Sequence, residues 1–255
     1  MSKLRFSIYV AVLAALPGAA SLRPVGAAAD TITPTSQDRT VHTAVSNGLA
    51  PDIDEQSAND FGLFVGSASG ALLTASADAT QVSQILPAAL VATGTASATG
   101  GEAWLTFAGS SSTFLVDFAL AKDSPYFLAG SLQEQDSFQA TATVFVELRD
   151  SAGVVIFRVD TGDACVFACD VPLEMGGLLV AGSYTLVAVA NADSQIASVT
   201  SNYDVDFRIV PEPVTALLLA AGLAAMAVSR RQIGPRGTLQ HRGTSARVGV
   251  VVPRS

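Results

Sequence analysis

The chain has 255 residues, 22 of them acidic and 14 basic, for a formal net charge of −8 with only two histidines and two cysteines. Such an acidic balance disfavours a nucleic-acid partner, because a phosphate backbone is bound by clustered lysine and arginine. Nearly half of the residues are hydrophobic and only 14% are charged, which leaves ample material for a buried core and excludes a highly charged, fully solvated chain.

At the N-terminus, Lys3 and Arg5 precede an apolar run, Phe6 to Leu16, that Pro17-Gly18 ends. This order is that of a secretory signal peptide, assigned to residues 1–29. Small residues offer two cleavage points, one after Ala20 and one after the Ala27-Ala28-Ala29 run. Residues 30–60 read as a polar, partly disordered lead-in. Within it, Asp52-Ile53-Asp54-Glu55 to Asp60 begins like a calcium loop but carries Ser57 where the turn needs glycine and Leu63 where the last ligand is a glutamate.

From residue 61 to 209 the pattern is that of strands and turns. Alternation is plain in Phe114, Val116, Phe118 and Leu120 around Asp117, in Ala142, Val144, Val146 and Leu148 against Thr143, Phe145, Glu147 and Arg149, and in Tyr203, Val205, Phe207 and Ile209 against Asp204, Asp206 and Arg208. A period of two gives one buried and one wet face. Further strands are expected at 61–65, 103–108, 126–132 and 183–189, and Ala79–Leu90 reads as a short helix or a loop over the core. Asp150-Ser151-Ala152-Gly153 is a hairpin turn between 141–149 and 154–159. Asn191-Ala192-Asp193-Ser194 is another turn. Such spacing predicts one all-β domain, an antiparallel β-sandwich. No internal repeat is present.

Cys165 and Cys169 enclose three residues in an exported chain and predict a disulfide. The C-x-x-C spacing of a redox pair is absent. Around them Asp160, Asp163, Asp170 and Glu174 form an acidic loop with oxygen ligands of the type calcium takes. It reads first as a solvated turn, and no metal or other cofactor is expected.

Catalytic signatures are sparse. His42 lies in the lead-in and His241 in the tail, so the predicted core has no histidine for a Ser/His/Asp relay. Neither G-x-S-x-G nor H-E-x-x-H occurs. A glycosidase needs two carboxylates from separate strands, for which Asp117, Glu147, Asp204 and Asp206 are the candidates. A saccharide platform would use exposed aromatics, and the candidates are Trp104, Phe145 and Tyr126.

The C-terminal part is the most specific. Pro211-Glu212-Pro213 leads into an uncharged apolar run, Val214 to Val228, and this stops at Arg230-Arg231. At 1.5 Å per residue a helix over this run spans roughly 22 Å, short of the ~30 Å hydrocarbon core but enough for a thin or compressed bilayer. The arginine pair is oriented cytoplasmically by the positive-inside rule. The two prolines hold Glu212 extended, as a protease requires. In this order the three parts of residues 210–231 resemble the PEP-CTERM sorting signal of Gram-negative bacteria. The resemblance implies that exosortase is a partner, that the inner membrane holds the chain transiently, and that the domain is then released to the cell surface or extracellular matrix. The run Leu178 to Leu186 is similar to the closing strands of ectodomains that carry this signal, which implies a jelly-roll-like sandwich. The same resemblance implies association with exopolysaccharide or biofilm and a non-catalytic role. A saccharide-binding module and a glycoside hydrolase with two cleft carboxylates are the alternatives. Residues 232–255 continue past the arginines as a basic tail expected to be disordered.

Charge follows this division. Between Asp30 and Glu212 stand all 22 acidic residues and only Arg39, Lys122, Arg149, Arg158 and Arg208, a net of −17. The other nine basic residues flank that stretch.

Overall fold

A computed structural model describes residues 31–48, 50–101, 106–137, 140–162 and 168–210. The signal-peptide segment, the Pro211–Pro213 box, the 214–228 run, Arg230-Arg231 and the tail lie outside the described residues, as do Trp104 and Cys165. No helix among the described residues is long and apolar enough to cross a membrane.

The domain is all-β. Twelve strands run β1 Thr33–Ser46, β2 Pro51–Ser57, β3 Phe64–Leu72, β4 Ala75–Leu86, β5 Ala89–Thr99, β6 Phe107–Leu120, β7 Ser124–Gln135, β8 Ala140–Asp150, β9 Val155–Asp160, β10 Ala168–Leu179, β11 Gly182–Ser194 and β12 Ser198–Ile209. They form two six-stranded sheets with orders β2-β1-β6-β11-β8-β9 and β10-β7-β12-β5-β4-β3, every pairing antiparallel. The last eight strands pair as nested couples, β5 with β12, β6 with β11, β7 with β10 and β8 with β9. Such nesting is a long hairpin wound across both sheets. The first four strands widen it, β1 and β2 beside β6, and β4 and β3 beside β5.

Alternation explains the core. The three period-two runs bury Phe114, Val116, Phe118 and Leu120 from β6, Ala142, Val144, Val146 and Leu148 from β8, and Tyr203, Val205, Phe207 and Ile209 from β12. These join side chains of both sheets in one cluster. An aromatic chain crosses it: Phe118 lies 5.7 Å from Tyr184 and 5.6 Å from Phe207, and Tyr126 stacks at 5.6 Å on Phe207 and at 6.2 Å on Phe157. The core is otherwise built of small residues, and close approach follows. At Gly94 any Cβ would stand 2.3 Å from the Tyr203 ring. Only glycine lets that ring lie flat on β5, with its hydroxyl 3.2 Å from Ser112. Burial pushes the Tyr203 phenol well above its ordinary range, with the Ser112 bond opposing.

Three expectations are corrected. Asn191 to Ser194 form no turn: they end β11, paired on both sides with β6 and β8, and the chain reverses only at 195–197. The supposed lead-in is the pair β1–β2, because Val41, Thr43 and Val45 alternate inward under the second sheet; residues 33–46 read as polar because their outward positions are hydrophilic. Residues 79–90 hold neither helix nor loop: they end β4 and begin β5, and Ala75, Ala77 and Ala79 are the small inward residues. Alanine alternating with Ser, Asp and Thr carries little hydrophobic contrast, so its period is easily missed.

The β8–β9 hairpin turns as expected on Asp150–Gly153. Gly153 has φ +79°, its amide donates to the Asp150 carbonyl, and the Asp150 carboxylate accepts from the amides of Ala152 and Val154. At one flank, the edge of β3 is laced to β2 by side chains. The amides of Ser67, Ser69 and Ala71 donate to Gln56, Asp54 and Asp52 at 3.1, 3.1 and 3.3 Å. The acidic stretch that begins like a calcium loop is thus an extended strand whose alternate carboxylates cap an otherwise open sheet edge.

Candidate functional site

The strands give the domain two poles. One carries the β2–β3 loop, the turns β4–β5, β6–β7, β8–β9 and β10–β11, and both ends of the described chain; here the Ile32 amide meets the Pro87 carbonyl at 2.6 Å, and that of Val210 meets Pro125 at 2.8 Å. The opposite pole carries β1–β2, β3–β4, β5–β6, β7–β8, β9–β10 and β11–β12. Two hollows lie at this second pole.

The larger, of about 340 Å³, is lined by Phe107, Thr141, Asp193, Ser194 and Gln195. Antiparallel register brings these together: Asp193 stands opposite both Gly109 on β6 and Thr141 on β8. Burial raises the Asp193 carboxyl above its ordinary value. The second hollow, of about 210 Å³, is lined by Gln133, Glu134, Gln135, Ala168, Cys169, Asp170, Thr200 and Asn202. Asp170, Gln133 and Asn202 form one row across β10, β7 and β12, and Ala168, Gln135 and Thr200 the next. Most of this face is uncharged amide and hydroxyl, a chemistry suited to neutral polyols. The expected strands at 126–132 and 203–209 stop short of these positions, and only the register of three strands assembles them.

Beneath the second hollow, Glu134 is buried and accepts from the Thr161 hydroxyl. Burial raises its pKa; Asp136 adds to this through a hydrogen bond and its charge, Asp160 adds through its charge, and the Thr161 bond opposes. Asp136 in turn accepts from the Ala142 amide at 2.6 Å. Cys169 stands opposite Glu134 on β10 and is disulfide-bonded; the chain's other cysteine is Cys165. Of the acidic-loop residues, Asp160 pairs with Arg158 at 2.9 Å, while Asp170 and Glu174 are exposed on β10. Asp163 lies outside the described residues. No group of three or more metal-ligating side chains occurs among the described residues.

The four candidate acids are not brought to one cleft. Asp117 and Glu147 lie on the outer face of the first sheet, Asp204 and Asp206 on that of the second. Asp117 accepts from Ser36 and, at 2.5 Å, from Thr185. Glu147 is buried on that outer face beneath Arg149 and Arg158, the latter at 2.9 Å. Asp206 is bound by Arg208. The aromatic candidates change roles too. Tyr126 is buried in the core stack, and Phe145 is roofed by the Arg158 guanidinium 4.4 Å from its centroid.

His42 belongs to the folded domain, contrary to the sequence expectation. Register aligns it between Glu55 on β2 and Ser111 on β6. No hydrogen bond joins the three, and neither hollow includes them, so this Ser–His–Glu row is not an assembled relay.

No protein-family model matches the chain, and no curated protein matches it. Among solved structures it is similar to the enzymatically active domain of tailspike protein 4 of bacteriophage CBA120, at 10% identity over 58% of this chain and with a TM-score of 0.24. The match spans only 19% of that tailspike chain. It is also similar to the VP2 subviral particle protein of infectious bursal disease virus, at 10% identity over 80% of this chain and 74% of that one, with a TM-score of 0.22. Likenesses at this level carry no argument about function.

Proposed function

We propose that the chain is an exported protein of the PEP-CTERM type, cut by an exosortase, whose domain is a non-catalytic jelly-roll-like β-sandwich acting at the cell surface or in an exopolysaccharide matrix. The observation that carries the reading is the ordered series Pro211-Glu212-Pro213, Val214–Val228 and Arg230-Arg231. Only Val210 separates it from Ile209, the last residue of β12. The nested pairing of β5 to β12 supports the jelly-roll assignment. The scatter of the four acids over two outer faces, three of them held by neighbouring side chains, supports a non-catalytic role.

Intact mass of the protein from an exosortase-bearing host tests the reading. The mature species should lack Arg230-Arg231, and alanines at Pro211-Glu212-Pro213 should leave a full-length, membrane-retained chain. A wild-type protein that keeps Arg230-Arg231 in that host overturns it.

A second reading, a saccharide-binding module, is favoured by the two adjacent rows that hold Gln133 with Asn202 and Gln135 with Thr200 on the second sheet's outer face. With a domain net charge of −17, an acidic polymer would be met through bridging cations and a neutral one directly. Binding of a neutral glycan should then vary little with salt and weaken in Gln133→Ala with Asn202→Ala. Strong chelator-independent binding of an acidic glycan would contradict this.

A further inference from the structure

We infer that the pole carrying both chain ends is a membrane-contact surface, resting on a phospholipid bilayer while the 214–228 segment is still attached. The inference depends on the proposed membrane insertion of that segment and adds the orientation of the folded domain.

Three observations converge. The first is apolar exposure. Leu63 of the β2–β3 loop, Leu86 at the end of β4, Val154 of the β8–β9 turn, Leu178 and Val180 beside the β10–β11 turn, and Val210 all project into solvent, Leu63, Leu178 and Val180 by more than 60%. Turns at a sandwich end are ordinarily polar. The opposite pole shows fewer: Leu73, Ile196, Ile53 near the start of β2, and Phe107, which lines a hollow.

Charge is the second. Lys122 lies in the β6–β7 turn, and Arg149 and Arg208, paired with Glu147 and Asp206, lie next to the last residues of β8 and β12 at the same pole. None of the segments connecting strands at the far pole contains a lysine or arginine, while Asp52, Asp136 and Asp193 lie close to it, as does Asp160, which pairs with Arg158. The acids at the apolar pole are each engaged: Asp60 accepts from Gly62, Asp123 from Ala181, and Asp150 from Ala152 and Val154, while Glu147 and Asp206 pair with Arg149 and Arg208. An apolar end where bases offset part of the acidic charge, opposite an end whose connecting segments carry no base, is the end that a phospholipid surface repels least.

Tethering is the third. Val210 is fixed beside Pro125, and only Pro211-Glu212-Pro213 separates it from the apolar run. Three extended residues reach about 10 Å, so an inserted segment holds this pole within a side chain or two of the headgroups.

The test uses the full chain with Trp104→Phe and a single new tryptophan, at Val180, Leu178 or Ile196. Each variant is reconstituted in phosphatidylethanolamine–phosphatidylglycerol vesicles with plain or brominated acyl chains. The chain should float with the vesicles. Emission from Val180→Trp and Leu178→Trp should fall about twofold in brominated vesicles, as for an indole about 5–10 Å into the headgroup boundary, and that from Ile196→Trp should not change. Flotation without quenching at Val180 and Leu178, or with equal quenching at Ile196, overturns the orientation and leaves insertion standing. Unquenched variants that sediment as dimers in detergent would make the pole an interface between copies instead. A chain that does not float overturns insertion and orientation together.

Discussion

The two poles of this sandwich are built from the same strands, yet they differ in what they expose. The pole with the chain ends displays valine and leucine on its turns and is pinned from within by Arg39. The opposite pole is acidic, holds both hollows and the disulfide-bonded Cys169, and buries a carboxyl, Glu134. A period-two strand fixes what faces the core along its whole length, but connecting segments escape that constraint. Their chemistry is therefore free to diverge, and here it has diverged by end.

Arg39 offers the strongest way to break the apolar pole. It is fully buried on β1, donates to the carbonyls of Gly62 (2.7 Å) and Asp60 and to the Gln37 amide oxygen (2.9 Å), and lies 5.7 Å from the Phe64 ring centroid. Burial lowers its pKa, against the attraction of Asp60. Arg39→Met should cost about 3 kcal/mol or more, since it orphans several acceptors around the β2–β3 loop. Urea unfolding measures the loss, and limited proteolysis should cut first within residues 58–63.

At the acidic pole the disulfide comes next. A bond closing the short Cys165–Cys169 loop should contribute about 2 kcal/mol. Replacing both cysteines by alanine should lower the unfolding free energy from urea titration by that amount and leave the strand content by circular dichroism unchanged. Native material should show no free thiol on alkylation without reductant, and two labelled thiols in the folded exported protein would refute the pairing.

The flank between the poles yields a smaller effect. Asp52→Ala with Asp54→Ala uncovers the amides of Ala71 and Ser69 on β3, costing about 1 kcal/mol at this exposed site. Because a bare edge templates pairing, the variant should also self-associate in sedimentation at concentrations where the wild type does not.

Glu134 gives the smallest effect, and a gain. Its carboxyl is raised in the fold chiefly by burial. A raised carboxyl stabilises below its unfolded value of about 4.3 and loses that contribution as pH climbs through the folded value. Glu134→Gln, which imitates the protonated group, should therefore be slightly more stable than the wild type near neutral pH, and the advantage should vanish near pH 4. Stability that is equal at both pH values would remove the carboxyl's distinct role at this pole.

How much of this was legible in the sequence depended on hydrophobic contrast. Phe114 to Leu120 and Tyr203 to Ile209 declare their period because large apolar side chains alternate with Asp, Thr or Arg. In residues 75–86, alanines alternate with small polar residues, and in residues 33–46 only Val41 and Val45 mark the inward side. The contrast is too weak there, so two strand pairs went unread. The acidic residues at 52–56 looked like ligands because sequence shows their charge but not the edge amides they meet.

By itself, the sequence determined that the domain is all-β, which faces of its clearest strands are buried, where one hairpin turns, and which segments at the two ends are apolar. These are local properties, written in period and composition. Tertiary structure alone decided the pairing order, because antiparallel partners such as β5 and β12 stand about a hundred residues apart and nothing local names a partner. That pairing in turn placed Asp170, Gln133 and Asn202 in one row, separated the four candidate acids onto opposite outer faces, set His42 between Glu55 and Ser111, and brought both chain ends to one pole.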